Sequence, residues 1–167
     1  MKIGLISDTH SHLDPKVFEY FKEVDEIWHA GDVGSFGVIE QLEKFKPLYG
    51  VFGNIDSHQV RTVFLEDQKL LRNGVKIWMT HIGGKPPGYN KRIKPLIESL
   101  QPDIFICGHS HICAVMHDPK RKNVLYINPG AAGIHGFHKM KTIMRFDLED
   151  GKIKNVQVIE LGLRAKG

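Results

Sequence analysis

Two patterns of apolar and polar positions follow one another along the chain. In the first third, short apolar runs alternate with segments whose apolar residues recur every three or four positions, which predicts strands alternating with helices. This order is typical of parallel strands joined by helical crossovers. The predicted strands cover residues 3–6, 26–30 and 48–52, and the predicted helices cover residues 14–22 and 37–44.

The rest of the chain has a different pattern. The dipeptide Asn73-Gly74 lies between two short apolar runs and predicts a hairpin turn. A β/α half followed by a half rich in antiparallel strands predicts an α/β (α+β) fold, with two stacked sheets covered by helices, as one domain over residues 1–167. The predicted elements here are strands 69–71 and 75–79, helix 91–100, strand 104–107, and strands 114–117, 125–128, 142–147 and 152–159.

Composition narrows the class of protein. The formal charge is +4, and no apolar run approaches the roughly 20 residues that span a bilayer. The first residues indicate a buried strand and not a cleaved signal peptide, so a cytoplasmic location is expected and a membrane is not. The densest basic cluster, Lys120–Lys122, is typical of a solvated turn, so nucleic acid is not expected as a partner except as a small nucleotide substrate. Cys107 and Cys113 match no redox or zinc spacing, whereas ten histidines are unusual.

Residues that can bind metal follow five of the predicted strands. Because ligands of open α/β sheets bind outside the carboxyl ends of the strands, these side chains are expected to converge. Their nitrogen and oxygen donors suit Mn, Fe, Zn or Ni. They are too many for one tetrahedral ion but suit two ions that share a carboxylate, an arrangement that cleaves phosphate esters without a nucleophilic Ser or Cys. The candidates are Asp8, His10, Asp32, Asn54, His81, His109 and His111.

These motifs, in this order, resemble the calcineurin-like metallophosphoesterases, and the later Asn128-Pro129-Gly130 is similar to the short bacterial and archaeal phosphodiesterase branch (YfcE-like). The resemblance implies a four-layer α-β-β-α sandwich and a hydrolase with two divalent metal ions, for which Mn is favoured. The motifs that carry it are Asp8-Thr9-His10, Gly31-Asp32, Gly53-Asn54-x-Asp56, Thr80-His81 and Gly108-His109-Ser110-His111.

The resemblance also implies roles for individual residues. Asp32 would bridge the two ions, and a water or hydroxide between them would attack phosphorus. One ion would be held by Asp8, His10, Asp32 and His111, and the other by Asp32, Asn54, His81 and His109.

Two positions depart from the family pattern. Ile55 stands where many relatives have a His that protonates the leaving group, and Phe52 stands where relatives often have Arg. The first departure leaves the acid catalyst open, with His12 and His58 as candidates, and the second removes a phosphate clamp. Asp56 could orient a metal ligand or stabilise its turn.

Further residues are candidates for substrate binding. His12, Lys85 and His135 lie in loops beside the motifs, and each could equally belong to an ordinary loop. The leading interpretation is a phosphodiesterase acting on a small phosphate ester, and the close alternative is a phosphomonoesterase. A binding scaffold like a retromer subunit is the alternative from another class, and a homo-oligomer stays open.

Overall fold

A computed structural model describes residues 1–121 and 123–164 of the chain. Lys122, part of the basic cluster, lies outside the described residues, and its neighbour Arg121 is not freely solvated because Nη1 donates to Asp118 Oδ2 at 3.2 Å. The described strands are β1 (Lys2–Ile6), β2 (Glu26–His29), β3 (Leu48–Gly50), β4 (Asp67–Arg72), β5 (Val75–Thr80), β6 (Ile104–Ile106), β7 (Ala114–His117), β8 (Leu125–Asn128), β9 (Met140–Glu149) and β10 (Lys152–Leu163). The described helices are α1 (Lys16–Tyr20), α2 (Phe36–Phe45), α3 (His58–Val63) and α4 (Ile93–Leu100).

The strands form two mixed, five-stranded sheets. The first sheet has the order β10-β9-β1-β2-β3, with β1, β2 and β3 parallel and β9 antiparallel to β1. The second has the order β4-β5-β6-β8-β7, with β5, β6 and β8 parallel. The Asn73-Gly74 hairpin is confirmed: both residues have positive φ, as a two-residue turn of type I′ requires, and they join β4 to β5.

Alternate residues of each strand pack on opposite faces of its sheet. Ile3 and Leu5 of β1 pack with Ile77 and Met79 of β5 in a cluster between the two sheets. Ile6 faces the other way, into a cluster that includes residues of α1, α2 and α3. On the far face of the second sheet, Trp78 of β5 and Phe105 of β6 pack against Ile93 and Ile97 of α4. The predicted α-β-β-α sandwich is therefore confirmed.

Several element boundaries differ from those the sequence predicts. The first helix is Lys16–Tyr20, shorter than the predicted 14–22, although Asp14 Oδ1 accepts from the Lys16 amide at 3.0 Å as a helix-starting residue should. The short helix α3 was not predicted at all. Ser57 accepts from the Val60 amide at 3.5 Å at its start. No helix among the described residues is long and apolar enough to cross a membrane.

Candidate metal centre

Two groups of candidate metal ligands lie at the carboxyl ends of the strands in the described part of the chain. Within each group, one donor atom from every residue lies within 4.8 Å of the others. Six of the seven side chains that were expected to converge lie in these two groups. The first group is Asp8, His10 and His111, and the second is Asp32, His81 and His109.

Asp32 reaches toward both groups. Its Oδ2 atom lies 3.5 Å from His10 Nε2 in the first group, and its Oδ1 atom lies 3.3 Å from His81 Nε2 in the second. The amide of Ile55 donates to Oδ1 at 3.1 Å and fixes the carboxylate in this orientation. A carboxylate held with one oxygen toward each group is placed as a bridging ligand would be.

Three buried atoms that could bind metal have no hydrogen-bond partner in the described structure: Asp8 Oδ1, His10 Nε2 and His81 Nε2. A buried polar atom without a partner costs about 1–3 kcal/mol, so such atoms are uncommon in folded proteins. All three point into the groups just described. Their nitrogen and oxygen chemistry is that of a site for a transition-metal ion, so the residues present fit bound metal.

The backbone of the candidate ligands is unusual. Non-glycine residues seldom have positive φ, and such conformations cost about 1–3 kcal/mol and cluster at functional sites. Five of the candidate ligands have it: Asp8 (54°), His10 (45°), Asp32 (53°), His109 (68°) and His111 (58°). Sharp turns at the strand ends thus aim these side chains at one point.

The glycines before Asp32 and Asn54 are explained by close packing. A Cβ atom on Gly53 would overlap the Asp32 carboxylate, and one on Gly31 would lie 2.5–2.7 Å from atoms of the His81 side chain. Both contacts are closer than real Cβ atoms make, so a larger residue would displace a candidate ligand. The Gly-Asp and Gly-Asn pairs therefore serve the site and are not merely turn sequences.

Hydrogen bonds from neighbouring groups orient the ligands. His81 Nδ1 lies 2.7 Å from the Ala30 carbonyl oxygen, which leaves Nε2 facing Asp32. Asp8 Oδ2 accepts from Ser7 Oγ at 2.6 Å and from the His109 amide at 3.1 Å, which leaves Oδ1 facing the first group. His81 and Asp8 thus each keep one atom facing the centre of their group.

Two residues outside the groups tie the ligand loops together. Asp56 Oδ2 accepts from the Gly53 amide at 2.7 Å and Oδ1 from the Gly34 amide at 2.8 Å, so it joins the loops after β2 and β3. Asn128 Nδ2 donates to the Gly108 carbonyl at 2.9 Å and to Ser110 Oγ at 3.1 Å. Asp56 therefore stabilises its turn and also positions the neighbouring loop.

The ionisation of the site follows from burial and close charges. Burial raises the pKa of Asp32, but the His81 ring opposes this, and the pKa lies below its ordinary value. Burial lowers the pKa of His81, but the Asp32 carboxylate outweighs it, and the pKa is raised. Burial lowers the pKa of His10, which favours the neutral imidazole that binds metal. His29 is fully buried, and burial lowers its pKa to about 4, as suits a core histidine.

The other predicted site residues differ in exposure and in the residues that they contact. The exposed Asn54 lines a cavity together with His81. His12 is partly exposed, but its Nε2 atom is buried and has no partner in the described structure. The exposed His58 is the first residue of α3, and no hydrogen bond or ion pair found in the described residues connects its ring to either group.

Lys85 and His135 also lie beside candidate ligands. Lys85 lines a second cavity, of about 260 Å³, together with His109. The His135 ring packs against His10, with ring centres 4.8 Å apart. Both positions are compatible with contacts to a substrate.

Two arginines that sequence reasoning missed line the cavity beside Asn54. Because Phe52 replaces the Arg of many relatives, no guanidinium was expected near Asn54. This expectation is wrong, because helix α3 places Arg61 over the Phe52 ring, with 4.4 Å between the guanidinium carbon and the ring centre. Arg92, just before α4, lines the same cavity. Arg61 follows the motif residue Asp56 by five positions and Arg92 follows His81 by eleven, and this nearness in the sequence is the signal that could have indicated them.

The chain is similar in sequence to known phosphoesterases. The model of the calcineurin-like phosphoesterase superfamily domain matches residues 1–151. A probable metallophosphoesterase of Methanocaldococcus jannaschii is 30% identical over 157 residues, which cover 90% of this chain and 77% of that protein. A phosphodiesterase of the same organism is 29% identical over 147 residues, which cover 78% of this chain and 83% of that one.

Solved structures show the same fold. The structure of an archaeal phosphodiesterase superposes with a TM-score of 0.78 at 26% identity, covering 96% of this chain and all (100%) of that one. Vps29 of Entamoeba histolytica, in complex with Zn²⁺, has a TM-score of 0.70 at 19% identity, covering 96% and 99% of the two chains. The similarity to Vps29 concerns the fold alone. The fold and the matched family model define the class of protein as a metallophosphoesterase. The chain belongs to the calcineurin-like phosphoesterase superfamily.

Proposed function

We propose that this protein is a phosphodiesterase that hydrolyses small phosphate diesters with two divalent metal ions. The observation that carries the proposal is the position of Asp32, with one oxygen toward each of two groups of ligands. Two bound ions would polarise the phosphoryl oxygens and lower the pKa of the attacking water. Mn is favoured, with Fe, Zn or Ni as alternatives.

The proposed ligand sets extend the two groups seen in space. Asp32 belongs to both, and Asn54 is added to the second because it follows β3 and lies in the same cavity as His81. The first set is Asp8, His10, Asp32 and His111, and the second is Asp32, Asn54, His81 and His109.

The reaction needs a proton for the leaving group. The water oxygen bonds to phosphorus, one ester P–O bond breaks, and the leaving oxygen takes up a proton. Ile55 cannot donate one, and its amide is already bonded to Asp32. Of the two candidates, His12 is favoured over His58, because it follows the candidate ligand His10 by two residues and its Nε2 atom is buried without a partner in the described structure, whereas His58 is exposed.

Lys85 and His135 are proposed to contact the substrate. The exposed Lys85 ammonium would attract the negative phosphate from the wall beside His109. His135 would contact it from the side of His10. Neither residue has a carboxylate partner within 4.0 Å in the described structure, so both are available to an anion.

The preference for diesters is tested with a pair of aryl esters. We expect the Mn-loaded protein to hydrolyse bis(p-nitrophenyl) phosphate with a higher kcat/KM than p-nitrophenyl phosphate, because no imidazole follows Asn54 to stabilise the second charge of a monoester. The named phosphodiesterases among its relatives favour the same choice. A higher kcat/KM for the monoester would make the protein a phosphomonoesterase.

A binding scaffold is the second candidate, because the Vps29 structures share this fold. All seven candidate ligands are present in this chain, which favours catalysis over a purely structural role. Absence of turnover for mono- and diesters with Mn, Fe, Zn and Ni in turn would favour the scaffold.

A further inference from the structure

A cavity of about 410 Å³ opens beside the proposed metal centre. Its size falls within the range of small-molecule sites, roughly 300–1,000 Å³. Asn54 and His81 form the end nearest the centre, and Phe52 and Ile82 form apolar walls. A group attached to a phosphate at the metal centre would therefore enter this cavity.

Arg92 in this cavity is already neutralised. Its Nη1 atom donates to Asp67 Oδ2 at 2.7 Å, and its Nη2 atom donates to Thr80 Oγ1 at 2.6 Å. Its Nε atom also lies 3.8 Å from Glu66, the acidic residue of the cavity wall. The Arg92 guanidinium thus links residues of the cavity wall, and its charge is poorly available to a ligand.

Arg61 is held in place by neutral groups only. Its guanidinium stacks on Phe52, Nε donates to the Asp56 carbonyl at 2.9 Å, and Nη2 lies 3.5 Å from the Gly53 carbonyl oxygen. No carboxylate of the described residues lies within 4.0 Å of it, and the side chain is exposed to the cavity. A positioned guanidinium without an ionic partner is suited to bind phosphate with its remaining N–H groups.

We propose that this cavity binds the substituent of the diester that stays on the phosphate, and that Arg61 binds a second phosphate on that substituent. The substrate class is a nucleotide-like diester with an additional terminal phosphate: the apolar walls cover the ring system and Arg61 contacts its anionic end. This inference rests on the proposed function, because the reacting phosphate at the metal centre anchors the substituent. Arg61 then determines specificity and takes no part in bond cleavage.

The test compares two substrates that differ by one phosphate. Thymidine 5′-(p-nitrophenyl phosphate) and its 3′-phosphorylated form share the reacting group and the leaving group. We expect the native, Mn-loaded protein to favour the 3′-phosphorylated form about tenfold in kcat/KM, since a charge-assisted contact is worth about 1.5 kcal/mol. Arg61→Gln should abolish the preference, and Arg61→Lys should keep part of it.

A matched control removes the same charge elsewhere. Arg145→Gln alters an arginine that bonds the Tyr20 carbonyl and Gln157 outside this cavity, so it should leave the preference unchanged. Thermal unfolding and metal content are measured for every variant. Equal loss of activity on both substrates in Arg61→Gln would overturn the proposal, because Arg61 would then contact the reacting phosphate or only support the loop of Gly53.

Direct binding separates this inference from the proposed function. Calorimetry with thymidine 3′,5′-bisphosphate and thymidine 5′-monophosphate should show tighter binding of the bisphosphate to the native protein and a smaller difference for Arg61→Gln. If that result is found without hydrolysis of either ester, the proposed function fails and the Arg61 site stands. Equal affinity of the native protein for both nucleotides would refute the Arg61 site even in an active enzyme.

Discussion

Replacing Asp32 by Asn tests the shared carboxylate most directly. An amide has the same shape, so its oxygen can take the place of Oδ1 and still accept from the Ile55 amide. Its NH₂ group then takes the place of Oδ2 and faces His10 Nε2, which lies 3.5 Å away. An amide nitrogen does not bind a divalent ion, so the first ligand set loses its shared member while the second keeps an oxygen.

The expected magnitude follows from these contacts. Asp32 has a φ of 53°, a conformation that Asn adopts readily, and its hydrogen bonds can be kept. The free energy of unfolding without metal should therefore change by less than about 1 kcal/mol. Losing a direct ligand should weaken one site by about 100-fold or more, since even supporting residues are worth about 10- to 100-fold. The stabilisation by metal then falls by about 2.7 kcal/mol, or about 5–10 °C in Tm for a chain of this size.

The assay combines metal analysis with thermal unfolding. After saturation with Mn²⁺ and washing, the native protein should hold two ions per chain and Asp32→Asn one, with most hydrolysis of bis(p-nitrophenyl) phosphate lost. Tm is measured in EDTA and in excess Mn²⁺. Asp150→Asn is the matched control, because Asp150 has a φ of 49° in the turn between β9 and β10 and should show no change in metal content.

Two results would refute this reasoning about Asp32. Two ions per chain, a native rise in Tm with metal and near-normal turnover in Asp32→Asn would remove the residue from the site. A metal-free variant destabilised by much more than about 1 kcal/mol would show that the carboxylate stabilises the fold itself, as the partner of His10 and His81.

Three further predictions concern proton donation, loop positioning and stability in acid. Ile55→His should accelerate the hydrolysis of esters with poor leaving groups most, within the roughly 10²–10⁴-fold range of general acids. The dependence of kcat/KM on the pKa of the leaving group should therefore become flatter. An unchanged dependence would mean that another group already supplies the proton. Asp56→Ala removes the acceptor of two backbone amides and should lower the free energy of unfolding by about 3 kcal/mol in urea titration, together with the affinity for metal. Burial raises the pKa of Asp14, but its contact with Lys141 at 2.5 Å and the Lys16 amide lower it below its ordinary value. This stabilisation is present above about pH 4 and lost as the pH falls below it, and Lys141→Met should remove most of that pH dependence.

The grouping of the candidate ligands could be predicted in part from the sequence, because topology constrains where strands end. Parallel strands with helical crossovers place their carboxyl ends at one edge of a sheet, so the residues after β1 and β2 had to lie close together, as had those after β5 and β6. The packing of one sheet on the other then brings the two pairs together. The hairpin at Asn73-Gly74 was also predictable, because a type I′ turn needs positive φ at both positions and Asn and Gly adopt it readily. Local rules of this kind do not depend on distant contacts.

The helix α3 and its arginine were not predictable in the same way. The helix has six residues, one of which, Val60, is buried, so it shows almost no apolar periodicity. Its position follows from packing of Val60 and Phe64 against the first sheet. Because Arg61 reaches Phe52 only through that packing, the lack of Arg at position 52 could not be interpreted from the sequence alone.

The backbone conformation of the candidate ligands is one that Asp and His residues seldom adopt. Asp and His residues in positive-φ turns, together with buried donor atoms that lack partners, weaken the fold where they occur. Such conflicts between local preference and structure are expected at functional sites, where a bound ligand compensates for them. At this edge of the sheets, metal ions would supply the missing partners of Asp8, His10 and His81 at once. The free energy of unfolding should therefore rise when metal binds.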